Sequence, residues 1–581
     1  MSLITSPSAC DTRVALSMSG VLLMVALATA GCTPSSEHAT MTGPTDRGPA
    51  PSEEGAYFVD VTEYVGVDIV HSIGDGDLSN IVETVGSGAA FLDYDQDGWM
   101  DVYIANNTFM ESVSSGERPS QLPRNRLYRN HEGAYFEDVT HRAGVADEKG
   151  FGMGVAVADY DNDGYPDILQ CNYGPNVLFR NNGDGTFTDV AKKAGLRGDA
   201  NTVGAVWLDF DNDGHLDLYV GNYLEYDAEY TSYYAPDAFP PPTSYAGQPD
   251  VLYRNRGDGT FADVTKEMGL YRPEGRMMGV AAADYDRDGY VDIYVANDAM
   301  ANYLFRNDLG RRFDDVSYRS GVAFSEGGEE TSSMAVDFAD YDGDGRPDLF
   351  VSDIHFSALY RNEGGGLFSD VTVPSGIAAF SGQYDGWGSS FMDYDNDGDV
   401  DIFKVNGDLN HLFGHEDQLF ENQGDGSFLD VSIESGRHFQ SEWVSRGAAF
   451  GDYDNDGDVD VLIVNLNERA VLLRNENLQG NHWITVALAG SESNRDGVGA
   501  LVEVTAGGKV QSAPKESAGG YLSTNDPRMH FGLGKAEIVD RIEIRWPSGT
   551  VQVLENIPIN QFVRIEEEPS GSAVTDSGGT W

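Results

Sequence analysis

The chain has 581 residues and a formal net charge of −58, with 95 acidic against 37 basic side chains. That length exceeds one small core, and so negative a surface excludes nucleic acid and anionic lipid as electrostatic partners. Three cysteines, Cys10, Cys32 and Cys171, are too few for a disulfide framework.

In chain order, residues 14–31 form an apolar run ending directly before Cys32. This reads as an export signal with its hydrophobic region. Thr29-Ala30-Gly31-Cys32 resembles the bacterial lipobox, although Thr29 stands where Leu is usual. The resemblance implies lipidation of Cys32 and a cell-envelope lipoprotein at the outer membrane or cell surface. An ordinary cleaved signal, giving a secreted protein, and an uncleaved anchor helix stay open. Residues 32–56 are rich in Pro, Ser and Gly and read as a flexible tether. No later stretch is long and apolar enough to span a membrane, so attachment would come only through this N-terminal anchor.

Residues 57–476 carry a nine-residue phrase, D-x-D-x-D-G-x-x-D, seven times. Its aspartates are Asp93, Asp95, Asp97 and Asp101; Asp159, Asp161, Asp163 and Asp167; Asp209, Asp211, Asp213 and Asp217. They continue with Asp284, Asp286, Asp288 and Asp292, then Asp340, Asp342, Asp344 and Asp348. The last are Asp393, Asp395, Asp397 and Asp401, and Asp452, Asp454, Asp456 and Asp460. Four carboxylates so close repel one another unless a cation lies between them. Hard oxygen donors in a short loop suit Ca²⁺, so up to seven Ca²⁺ ions are expected. The seventh loop residue needs only its carbonyl, and its side chain varies freely: Trp99, Tyr165, His215, Tyr290, Arg346, Asp399, Asp458. The flanks, Gly88–Leu92 and Asp101–Ala105 in the first copy, read as strands and not as the helices of an EF-hand.

A fuller unit surrounds each loop. A glycine lies five residues before the first Asp in six copies, with Ala335 in the fifth. A third strand follows with the form Leu127-Tyr-Arg-Asn130, then a tight turn, then a fourth strand of the form F-x-D-V. Repetition every 50–75 residues predicts blades of a β-propeller. The first F-x-D-V precedes the first loop and none follows the last third strand, so Tyr57–Thr62 should close the seventh blade. The predicted fold is all-β: a seven-bladed β-propeller with four-stranded blades, followed by a small antiparallel β domain. Together these phrases resemble the FG-GAP/VCBS-type repeat, the calcium-loop propeller of integrin α heads.

Two insertions interrupt the repeat, Asn107–Arg124 and Glu225–Asp250. The second holds Tyr226, Tyr230, Tyr233, Tyr234 and Tyr245 beside Pro240–Pro242. These tyrosines could grip a glycan or protein ligand on a propeller face, or the insertion could simply be a lid.

Residues 480–567 alternate as strands and carry Gly480-Asn-His-Trp483, Ser493-Asn-Arg-Asp-Gly-Val-Gly-Ala500, Gly520-Tyr-Leu-Ser523, His530-Phe-Gly-Leu-Gly534 and Trp546-Pro-Ser-Gly549. In that order they resemble the ASPIC/UnbV domain, and the whole chain resembles the cartilage-acidic-protein-like family. That likeness implies a secreted or surface calcium protein of binding or adhesive type. Residues 568–581 read as a disordered tail. No nucleophile elbow, H-E-x-x-H, phosphate loop or paired cysteine occurs, so no enzyme is expected. The competing expectation is a carbohydrate-active enzyme of polysaccharide lyase or dehydratase type on the same propeller.

Overall fold

The computed structural model describes residues 50–198, 200–230, 239–325, 327–569 and 579–580. The leader, Cys32, most of the tether, Tyr233, Tyr234 and most of the tail lie outside the described residues.

Every repeat unit builds the same four-stranded antiparallel blade. In the first, Ala89–Leu92 is the inner strand, followed outwards by Asp101–Ile104, Arg126–Asn130 and Phe136–Asp138. Five further blades run from Phe151 to Asp189, Ala200 to Asp263, Met277 to Asp315, Thr331 to Asp370 and Gly386 to Asp430. The seventh unit has three strands of its own between Ser445 and Asn475, and Phe58–Asp60 supplies its outer strand, with Phe58 opposite Asn475. The wheel is therefore closed by Phe58–Asp60, which gives the last blade the same four strands as the others and covers the outer edge of Val471–Asn475.

The inner strands are apolar at successive positions because each blade is sandwiched between two others. Ala89 and Phe91 face the core shared with the seventh blade. Ala90 and Leu92 face the core shared with the second. With a side-chain period of two, burial on both faces demands an unbroken apolar run.

The glycines five residues before each loop sit where inner strands crowd the axis. A Cβ on Gly388 would lie 2.7 Å from the Arg446 carbonyl of the next blade, and one on Gly447 would lie 2.5 Å from the Ser87 carbonyl. One-turn helices follow most outer strands, as at Thr140–Ala143, where Asp138 accepts the Thr140 amide at 3.0 Å and Gly144 ends the turn at φ 81°.

The C-terminal module packs two sheets around Ile484, Val502, Ile542, Phe531 and Ile565. One point differs from the wholly antiparallel expectation: His482–Ala489 pairs in parallel with Phe562–Glu566. Most of the module's chain runs between these two strands. They are thus free of the hairpin constraint that makes neighbouring strands antiparallel.

The module does not stand apart from the wheel. Its segment 515–528 enters the central channel, and Tyr521 and Leu522 are buried there. Thr524 pairs with Ala90, its amide donating to the Ala89 carbonyl at 3.0 Å, and Gly520 pairs with Val336. From the opposite end, residues 81–85 fill the channel, and the Tyr521 hydroxyl donates to the Val85 carbonyl at 3.1 Å. A Cβ on Gly88 would overlap the Leu522 carbonyl, so that position requires glycine.

Candidate metal centres

Each acidic loop connects the inner strand of a blade to its second strand, so all seven lie at one end of the wheel. The loop backbone is set by its own carboxylates. Asp93 accepts the amides of Asp97 and Gly98, each at 3.0 Å, and Asp97 accepts that of Trp99 at 3.1 Å. The ninth-position Asp101 takes the Tyr94 amide at 3.0 Å and the Asn130 amide at 2.7 Å. The other loops repeat this scheme with small variations.

Three carboxylates converge in each of the first four loops: Asp93, Asp95 and Asp101; Asp159, Asp161 and Asp167; Asp209, Asp211 and Asp217; Asp284, Asp286 and Asp292. In the fifth the set is Asp340, Asp342 and Asp344. Each set offers oxygens within 4.8 Å of one another. The fifth-position residues Asp97, Asp163, Asp213 and Asp288 stay outside these triples. Two of them also meet the arginine of the third strand: Arg129 reaches Asp97 at 2.9 Å and Arg180 reaches Asp163 at 2.7 Å.

The donor sets fit a hard divalent cation. One oxygen each of Asp95, Asp161, Asp211, Asp286 and Asp454 is buried without a hydrogen-bond partner, as is one of Asp340. A buried unpartnered carboxylate oxygen is costly, and a metal–oxygen bond removes that cost. Burial, aided by the neighbouring carboxylates, raises Asp93 to about 6 and Asp209 to about 7. Asp159 also reaches about 7, with Asp496 of the C-terminal module as its next cause. Burial lifts Asp101, Asp167, Asp217 and Asp292 well above the usual carboxylate range. Asp393, Asp401, Asp452 and Asp460 are raised in the same way, and Asp348 to about 9.

Sequence reasoning missed what ties the loops into a ring. The asparagine ending each third strand reaches the second-position carbonyl of the preceding blade's loop. Asn130 donates to Tyr453, Asn181 to Tyr94, Asn255 to Tyr160 and Asn307 to Phe210, at 2.7–2.9 Å. Asn362, Asn422 and Asn475 do the same to Tyr285, Tyr341 and Tyr394. The recurrence of this asparagine in all seven units was the available signal. A second ring runs forward through the fourth loop position, which is held at φ near +55° to +60° where it is not glycine. Asn162 donates to the Gly214 carbonyl, Asn212 to Gly289, Arg287 to Gly345, Asn396 to Gly457 and Asn455 to Gly98, at 2.7–3.1 Å, and Gln96 donates to Gly164.

The fifth loop has Gly343 at this place, so this clasp toward the sixth loop is missing. Asn tolerates the left-handed conformation, and nothing lies within 4 Å of a Cβ placed on Gly343. Gly343→Asn should therefore stabilise the protein by about 1 kcal/mol, through one new hydrogen bond and a less flexible unfolded chain. A chemical-denaturation midpoint that falls would show that the sixth loop cannot accept the clasp.

The C-terminal module covers this end of the wheel. Arg495 donates its amide to Asn162 at 2.9 Å, Asp496 accepts the Asp159 amide at 2.8 Å, and Asn481 donates to the Asp395 carbonyl at 2.8 Å. Trp483 lies over Gly457, and His530 is 2.5 Å from the Asn396 side-chain oxygen. The sixth blade has Glu421 where the other six have arginine; there Lys509 of the module pairs with Asp399 at 2.7 Å. The phrases that resemble the ASPIC/UnbV signature, above all residues 493–500 and 520–523, are thus largely those that meet the propeller.

A closed wheel with one acidic loop per blade, capped by a β module on the loop end, defines an acidic-loop β-propeller of the repeat type. The FG-GAP-like repeat model matches residues 93–170, 159–220, 243–295, 285–351, 340–403 and 408–497, and the ASPIC and UnbV model matches residues 490–572. The chain belongs to the FG-GAP-like repeat family and carries a C-terminal ASPIC/UnbV domain. It is similar to cartilage acidic protein 1 of Mus musculus, 25% identical over 517 residues, covering 83% of this chain and 73% of the relative. The Homo sapiens protein of that name is also 25% identical, covering 83% and 72%. A lectin of Agrocybe aegerita that recognises non-reducing terminal N-acetylglucosamine superposes with a TM-score of 0.38 at 17% identity, over 58% of this chain and 82% of the lectin. That likeness is too loose to carry an argument. Among the described residues no helix is long and apolar enough to cross a membrane.

Proposed function

We propose that this is an exported calcium-binding scaffold, lipid-anchored through Cys32, that binds a glycan or protein ligand at the cell surface. The observation that carries the reading is the set of buried, unpartnered carboxylate oxygens in the loops. Oxygen-only donors in a loop favour Ca²⁺ over softer ions. The ions would neutralise the loops, and the chain's own aspartates, asparagines and arginines hold the geometry. Metal analysis of protein equilibrated in millimolar Ca²⁺ should give about seven ions per chain, and Asp161→Ala should remove one. Fewer than three ions in the wild type would reject the reading.

Ligand recognition belongs on the opposite end of the wheel, because the module covers the loop end. Residues 107–124 and 225–250 connect second to third strands and so emerge there. Tyr230 is 47% exposed, whereas Tyr245 is only 7% exposed and packs between Tyr226 and Tyr230 at 5.8 and 5.7 Å. Tyr245 thus supports the surface, and Tyr230 presents it. Asp250 must be kept in any deletion, since it accepts the Tyr219 hydroxyl at 2.7 Å and the Asn222 amide at 2.8 Å. Removing residues 230–238, which spares Phe239 on the core and the buried Pro240, should abolish glycan-array or protein-ligand binding with little change in melting temperature. Binding that survives the deletion would place the ligand elsewhere.

A further inference from the structure

A cavity of about 510 Å³ lies between the loop end of the propeller and the C-terminal module. This falls within the range of small-molecule sites. Phe91, Val157, Phe338, Phe391 and Phe450 contribute apolar wall from the propeller, and Phe531 from the module. Of the charged groups around it, those outside the acidic loops mostly have partners. Asp337 accepts the Ser390 hydroxyl at 2.5 Å and the Phe391 amide at 2.8 Å. Asp496 holds the Asp159 amide, and Asp526 is bound by Arg528 at 2.6 Å. The Lys515 ammonium donates to the Pro527 carbonyl at 2.5 Å.

Glu516 is different. It lines the same cavity, and its Oε1 is sealed from bulk solvent with no hydrogen-bond partner. Burial, aggravated by the like charge of Asp337 and only partly offset by the Lys515 ammonium, raises its pKa well above the usual carboxylate range. A buried carboxylate without a hydrogen-bond partner, set among aromatic rings and further acidic groups, is complementary to a hydrogen-bond donor with positive charge and an apolar body. The loop aspartates Asp93, Asp159, Asp340, Asp393 and Asp452 also line the cavity and are assigned to the metal ions, whereas Glu516 belongs to none of the acidic loops and the volume far exceeds one ion.

We propose that this cavity binds a small organic cation, a primary amine with an apolar body, with Glu516 as its counter-ion. Its walls come from both domains, so an occupant would hold the module against the wheel. The site does not require the ligand face assigned above, and it is tested separately from it.

The test uses the full chain in millimolar Ca²⁺ and isothermal titration with three probes of one skeleton: 2-phenylethylamine, 2-phenylethanol and 3-phenylpropanoate. The amine is expected to bind with a dissociation constant below about 1 mM, some 4 kcal/mol of binding free energy. The alcohol and the carboxylate should each bind at least 10-fold more weakly. Glu516→Gln should cut amine affinity at least 10-fold while leaving the melting temperature nearly unchanged, because a neutral amide of the same shape replaces a buried acid that is readily protonated when no amine is bound. Equal affinity for amine and alcohol, equal amine affinity in Glu516→Gln, or no binding of the amine would each overturn the proposal. Should the variant fold poorly, the comparison of the three probes on the wild type still decides.

Discussion

Stripping divalent ions with EDTA should lower the melting temperature by about 5–10 °C at pH 8, and by far less at pH 5. Extracellular-type Ca²⁺ loops bind at about 10⁻⁴–10⁻³ M. At millimolar Ca²⁺ each such site adds roughly 1–2 kcal/mol to the native state by mass action. Seven of them rival the whole stability of an ordinary domain, about 5–15 kcal/mol. The pH dependence follows from the loop carboxyls. Asp93, Asp284 and Asp340 are raised to about 6, and Asp159, Asp209, Asp395 and Asp454 to about 7, all chiefly by burial. A carboxyl whose pKa is raised on folding binds its proton more tightly in the native state. The metal-free protein is therefore most favoured below about pH 4, and loses that contribution as pH rises through 6–7. Protons thus substitute partly for metal at pH 5 and not at pH 8. Differential scanning fluorimetry across that range, with and without EDTA, measures it; an EDTA effect that is equal at both pH values would contradict the loop assignment.

Tyr521→Ala should destabilise the whole molecule, and not the C-terminal module alone. The ring is fully buried, meets Trp387 edge-on at 5.5 Å, and its hydroxyl closes on the Val85 carbonyl. Removing a buried aromatic side chain costs about 3–5 kcal/mol. The lost side chain sits where residues 81–85, the inner strands and segment 515–528 meet, so the cost falls on both domains. Calorimetry should show one cooperative transition in the wild type, shifted down by about 3–5 °C in the variant. Gly88→Ala attacks the same contact differently, by pushing a Cβ into the Leu522 carbonyl. Backbone cannot yield there cheaply, so the module should undock, giving two separate transitions and new protease cleavage near residues 476–481. A wild type that already melts in two separate steps would show that the channel segment does not couple the domains.

The repeat phrases and the asparagine that ends each third strand show how far local sequence reaches. The spacing of aspartates, the glycine before each inner strand and the misplaced first F-x-D-V were enough to specify the wheel and its closure by Phe58–Asp60. Those features repeat, and each is satisfied within one blade or by its neighbour. Asn130 and its six counterparts were visible as a pattern, but their partner, a carbonyl in the preceding blade's loop, was not.

By itself, the sequence determined the closed all-β wheel, the seven acidic loops and a separate β module after residue 476. Only the tertiary structure decided that this module caps the loop end, that segment 515–528 fills the channel, and that Tyr245 belongs to the core of its insertion. The reason is physical. The wheel arises from short-range alternation repeated many times, whereas the cap depends on single contacts such as Thr524 with Ala89 and Ser517 with Trp207, between residues more than 300 positions apart. A segment between strands carries no periodic sign of the surface that will enclose it.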